Sequence, residues 1–200
     1  MVTRAAVNPG NLNPNAALPY ELRLLDFQVA MQDVYDFFFD VNSYVRQRGL
    51  ARLDEMLRPA NMSGIITDML TASLAKHSRA LVVNQFPNGH PDLLVSGLYP
   101  DDRAQAAEHG IEIKTTRKSG GAVDMHGARD QTMCVFVYKV DNATEPVDDR
   151  EPMRFVEVYL GQVTVAEYRR NARGELGTRT ATLNRDGIAR FRQNWIYLDP

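Results

Sequence analysis

The chain has 200 residues, 44% hydrophobic and 24% charged, which suits one globular domain with its own core and excludes collagen, coiled coil and wholesale disorder. The formal net charge is −2, so bulk charge does not announce a nucleic-acid binder, and the single cysteine excludes an internal disulfide framework or a cysteine-rich zinc site. No apolar run approaches the ~18–20 residues of a membrane span, and the polar, proline-bearing start MVTRAAVNPGNLNPNAALP has no secretory apolar stretch. A reduced, cytoplasmic protein is expected.

Charge is unevenly spread. Residues 1–80 carry 8 basic and 8 acidic side chains, residues 81–165 carry 8 and 13, and residues 166–200 carry 7 and 4, all seven basic ones being arginine. An acidic centre followed by an arginine-rich end suits a carboxylate metal site beside a phosphate-binding surface.

In chain order, residues 1–18 are rich in Asn and Pro and read as a loose arm. From Tyr20 the apolar residues Leu24, Phe27, Met31, Val34, Phe38, Val41 and Val45 recur at helical spacing, and Gly49 is a stop. The cluster Phe37-Phe38-Phe39 calls for a core or a partner helix, and this helix is a candidate dimer surface or internal core. A short helix follows in LARLDEMLR. A third is expected from Ser63, as its cap, to about Ser78, with Ile65, Ile66, Met69, Leu70 and Leu74 inward and Asp68 off that face. The helical region thus spans 19–79.

The period then changes to two. ALVVNQF and DLLVSGLY read as strands around an Asn88-Gly89 turn; GIEIKTT and TMCVFVYKV read as the next two. RFVEVYLGQVTV reads as one long strand or two joined at Gly161, which completes a sheet core over 80–165. The arginine-rich segment 166–200 alternates at TRTATL, turns helical at RDGIARFRQN and closes with WIYL. Helices followed by a mostly antiparallel run of strands predict a single layered α/β (α+β) domain. Cys134, Phe136, Phe155 and Trp195 are expected in the core.

The chemistry concentrates in residues 89–118, GHPDLLVSGLYPDDRAQAAEHGIEIKTTRK. Glu112 and Lys114, two apart on a strand, project to one face, and Ile111 and Ile113 to the other. Pairing of the flanking strands can bring Asp92 beside Glu112. Two carboxylates repel unless a cation joins them, and such hard oxygen donors suit Mg²⁺ or Mn²⁺. A divalent ion polarises a phosphoryl oxygen and acidifies a water, and a nearby ammonium offsets developing negative charge. The four histidines show no metalloprotease spacing, and neither a GxSxG elbow nor a Walker loop is present.

Pro91-Asp92 followed by Glu112-Ile113-Lys114 resembles the PD-(D/E)xK motif of restriction-endonuclease-like nucleases. The resemblance implies a central mixed β-sheet flanked by helices, with Mg²⁺ (or Mn²⁺) held by Asp92, Glu112 and the carbonyl of Ile113, and Lys114 as the catalytic lysine. Many members add an acidic residue from the helix before the first strand; the matching candidate is Asp68, with Glu55 a weaker one. The implied activity is in-line hydrolysis of DNA phosphodiesters, leaving 5′-phosphate and 3′-hydroxyl ends, by a type II restriction enzyme. Cutting both strands calls for two active sites, most simply in a homodimer. A repair, recombination or transposition nuclease that nicks with partner proteins, or a non-catalytic DNA-binding module, fits the same residues.

Beyond the motif, Thr115, Thr116, Arg117 and Lys118 are candidate phosphate contacts, Gly120-Gly121 makes a segment able to fit against a duplex, and Arg129 and Gln131 suit guanine and adenine edges. His126 is a candidate for base, phosphate or water. Some relatives of this motif carry a glutamine after the lysine that orders the site; Gln131 is the nearest match. Arg169 and Arg170 are the first candidates for backbone contact in the arginine-rich segment.

Overall fold

The apolar stripe of the first helix has a partner on each side. In the computed structural model, which describes residues 2–119, 124, 125, 127–170 and 181–200 (backbone alone at Asp124, Met125 and Arg170), helix α1 spans Leu24–Gln47 and buries Phe27, Ala30, Met31, Val34, Tyr35 and Phe38. It starts later than the Tyr20 periodicity implies. Tyr20 and Glu21 have φ of 55°, a turn conformation, and the Asp26 carboxylate accepts the Arg23 N–H to cap the helix at its true start. The stop at Gly49 holds, with φ of 74°. α1 is internal core along most of its length rather than a free dimer surface.

Helix α2 is the single turn Leu53–Met56. Helix α3 runs Pro59–His77, beginning at a first-turn proline four residues before Ser63. Ser63 is therefore inside the helix, and its hydroxyl lies 2.9 Å from that of Tyr138 instead of capping.

Strands β1 (Leu81–Val83) and β2 (Leu93–Val95) form a short antiparallel pair; β3 (Gly110–Thr116) and β5 (Gln131–Lys139) run parallel; β6 (Arg154–Val163) is one continuous strand. With β9 (Trp195–Leu198) they make a sheet in the order β1-β2-β3-β5-β6-β9, antiparallel except at β3–β5. A smaller sheet of β4 (Asp124–Met125), β8 (Ala181–Leu183) and β7 (Tyr168–Arg170), in that order, pairs the end of the alternating TRTATL segment with two strands too short to show a pattern of their own. Helix α4 spans Arg185–Phe191.

Strand parity divides the buried side chains into two layers. Ile111, Ile113, Cys134, Phe136, Tyr138 and Phe155 pack on α1 and α3; Met133, Val135, Val137, Tyr159 and Val163 pack on the other side with Leu183, Phe191 and Tyr168. Cys134 is fully buried, as expected of a small hydrophobe, and burial pushes its thiol well up. The amino-terminal arm is not loose. Leu12 bridges Tyr197, Asn13 donates its backbone N–H to the Ile196 carbonyl, and Val7 donates to Gln32 of α1. Asn13 of the arm donates its side-chain amide to the Trp195 carbonyl, and Asn194, just before β9, donates its own to the Ala17 carbonyl, so the arm covers the edge of β9. Among the described residues no helix is long and apolar enough to cross a membrane.

Candidate active site

β2 and β3 are paired at Leu93–Ile111 and Leu94–Gly110, and that register carried one step further sets Asp92 opposite Glu112. Glu112 and Lys114 extend to the face away from α1 and α3, because Ile111 and Ile113 occupy the helix-facing core. The Asp92 carboxylate accepts the Ile113 backbone N–H at 2.7 Å. The N–H and C=O of one strand residue point to the same side, so the Ile113 carbonyl also opens toward the end of β2 where Asp92 sits. Glu112 is 1% exposed; its Oε1 lies 2.5 Å from Lys114 Nζ and its Oε2 3.3 Å from His90 Nδ1.

The electrostatics follow from the crowding. Burial, and then the Glu112 carboxylate, push the Asp92 carboxyl up to about 6; Lys114, the Ile113 N–H and His90 pull the other way and do not cancel it. Buried Glu112, half-buried Asp92 beside it and the Ile113 carbonyl make up a set of hard-oxygen donors, with Lys114 as the neighbouring cation. Among the described residues no three His, Cys, Asp or Glu side chains group as a metal site. Mg²⁺, which needs only one or two carboxylates and keeps several waters, fits two side chains and a backbone oxygen.

The Pro91-Asp92 segment is held by residues that the sequence reading did not single out. Asn84 donates its amide to the carbonyls of Pro91 and Ala104 and its backbone N–H to the Asp92 carbonyl. His90 donates its N–H to Gln105 and accepts from Ala107. Only the motif's own spacing was legible; a lone Asn at the end of a strand carries no such signal. Gln131, on the same face of β5 as Met133, donates to the Tyr168 hydroxyl at 3.2 Å, and its Oε1 is buried without a hydrogen-bond partner. Burial pushes the Tyr168 hydroxyl up, the Gln131 bond opposes this, and the neighbouring Glu112 charge adds to it, so this pair borders the trio.

Three expected members are elsewhere. Asp68 is exposed on α3, and that helix packs on the Ile113 and Thr115 face of β3, the side opposite Glu112 and Lys114. The sheet separates it from the trio. Thr115 shares that helix side: its hydroxyl donates to the Ser63 carbonyl at 2.8 Å and lies 3.0 Å from Thr67 Oγ1, so it joins strand to helix instead of meeting phosphate. Glu55 is paired with Arg52 and Arg150 under α2, away from β3. Asp68→Ala is accordingly expected to leave stability within about 0.5 kcal/mol of wild type and any activity that depends on Glu112 unchanged, as read by thermal melting and initial rates; a loss like that of a Glu112 variant would restore it to the site.

The remaining candidates divide. Thr116 is buried and its hydroxyl accepts the Lys118 N–H, which shapes the exit from β3. Arg117 and Lys118 are exposed just beyond, Arg117 donating to the Val140 carbonyl. Arg129 is half-buried near Tyr168, and Arg169 is exposed on β7 beside it. Arg190 is committed to Glu167 and Gln162, and Arg192 to the Tyr159 hydroxyl. Gly120, Gly121, His126 and the Arg170 side chain lie outside the described residues. No family model matches the chain, and neither characterised proteins nor solved structures yield a match.

Proposed function

We propose that this chain is a Mg²⁺-dependent endonuclease with a restriction-endonuclease-like core, hydrolysing phosphodiester bonds in double-stranded DNA as a type II restriction enzyme. One observation carries the reading: Asp92, at the start of β2, and Glu112 and Lys114 of the adjacent β3 meet at one place on the sheet, with Lys114 paired to Glu112 and the Asp92 carboxyl still raised by burial and by Glu112. Asp92, Glu112 and the Ile113 carbonyl would hold the ion, with Mn²⁺ as a substitute. When bound, the ion polarises the scissile phosphoryl group and acidifies a water.

The protein's own part is positioning and charge. The Ile113 N–H fixes Asp92, and Lys114, resting on Glu112, brings a positive charge to bear on the phosphate as negative charge develops. The small sheet packs on the same side of the main sheet as the trio, since Tyr168 belongs to that layer and bonds Gln131. Arg129, near Tyr168, is the candidate basic side chain at the border of this acidic centre, whereas Arg117, bonded to the Val140 carbonyl and close to Tyr138, lies with the helix-facing layer. A homodimer would present two such centres to the two strands.

The test is incubation of the purified chain with mixed plasmid and phage DNA and Mg²⁺, followed by sequencing of the ends. Cuts at one defined sequence with 5′-phosphates are expected. Ca²⁺ is expected to support binding without cleavage, and binding is expected to fall steeply with added salt as counterions are released. Absence of cleavage with both Mg²⁺ and Mn²⁺, with DNA still bound, would leave a binding module instead.

A further inference from the structure

Glu112 is the most enclosed member of the trio, and each of its oxygens has a side-chain contact of its own, Lys114 on Oε1 and His90 on Oε2. The two contacts differ in what else they have to do. Lys114 is a quarter exposed on a flexible stem, free to leave Glu112 for a phosphate. His90 is delivered from backbone pinned on both sides, its N–H to Gln105 and its carbonyl from Ala107, immediately before the buried Pro91. A carboxylate in this enclosure, with Asp92 beside it, turns away from its neighbour when its donors leave.

We infer that His90 is a positioning residue: with its hydrogen on Nδ1, its imidazole holds Glu112 Oε2 so that the carboxylate keeps its orientation toward a divalent ion when Lys114 engages the substrate. The inference rests on the nuclease reading of this site and adds a residue that the Pro91-Asp92/Glu112-Ile113-Lys114 pattern does not contain. It differs from a role as ligand or proton carrier, because His90 acts through Glu112 alone.

The atom in contact makes the test specific. An Asn side chain places its amide nitrogen close to the position of imidazole Nδ1, whereas Gln reaches the position of Nε2. The full-length variants His90→Ala, His90→Asn and His90→Gln would be titrated with Mn²⁺ by calorimetry, melted without metal, and assayed on cleaved DNA. Ala and Gln are expected to weaken Mn²⁺ binding about 10–100-fold, with a parallel rise in the Mn²⁺ concentration needed for half-maximal cleavage. Asn is expected to stay within a few-fold of wild type, and melting of all three to stay close to wild type.

Mn²⁺ affinity in His90→Ala equal to wild type would overturn the inference while leaving the nuclease reading intact. Rescue by Gln and not by Asn would overturn it too, by showing that the ring works through Nε2. Wild type that neither binds Mn²⁺ nor cuts DNA would instead remove the nuclease reading, and this inference with it.

Discussion

Asp92→Asn is expected to yield a protein that cuts no DNA and yet melts above wild type at pH 8 without divalent ions. The side chain keeps its shape and can still accept the Ile113 N–H through its amide oxygen. What it loses is a charge that the fold resists. Burial and the adjacent Glu112 raise the Asp92 carboxyl from 3.8 to about 6, so the folded state holds its proton more tightly than the unfolded state does. Below about pH 4 both states are protonated and the penalty is absent. It grows as pH rises between these values and is complete above about 6, where it amounts to no more than about 3 kcal/mol. Asn is free of it at every pH.

The gap in melting temperature between variant and wild type should therefore be near zero at pH 4, open between pH 4 and 6 and persist to pH 8. The slope is about 2–4 °C per kcal/mol for a chain of this size. Added Mg²⁺ should close the gap at pH 8 by stabilising wild type alone. A variant that melts lower than wild type at pH 8, or that still cleaves, would contradict the assignment. This is the stability–function conflict expected where like charges are held together for chemistry.

Gly110→Ala is expected to abolish cleavage and to destabilise the fold by about 2 kcal/mol or more, although no functional side chain is touched. Gly110 opens β3 with φ of 151°, where an L side chain is strained, and a Cβ there would lie 2.0 Å from the Leu93 carbonyl oxygen and 2.6 Å from Pro91 Cγ. Those atoms flank Asp92. The strand pair can admit a methyl group only by parting at Leu94–Gly110, which withdraws Asp92 from Glu112. The control is Gly64→Ala, on the exposed side of α3, where an added Cβ meets nothing within 4 Å. There a gain of about 0.5–1 kcal/mol in urea melts is expected. If Gly110→Ala cleaves normally, the close approach of β2 and β3 is not what assembles the site.

Local pattern carried much of the architecture. The change of period from near four to two separates helices from strands at about residue 80, and GIEIKTT is β3 to the residue. The parity of Glu112, Lys114, Ile111 and Ile113 is also purely local, since alternation along a strand needs no knowledge of its neighbours. Local pattern failed where partners lie far along the chain. The Asn/Pro-rich arm reads as loose until β9, some 180 residues later, supplies its hydrogen-bond partners. β7 is too short to show periodicity and exists because β8, the end of the alternating TRTATL, pairs with it.

The site divides along the same line. Residue order alone determined that an aspartate after a proline, and a glutamate and lysine two apart on a strand, were available for one sheet face, because covalent spacing and strand pleat are intrinsic to the chain. Only the tertiary structure decided which face α3 covers, and so removed Asp68 and Thr115 from the set while bringing His90 and the Gln131–Tyr168 pair to its border. The physical reason is that a helix can close over either side of a sheet with the same apolar stripe. The choice is made by the packing of the whole core, which no short stretch of residues encodes.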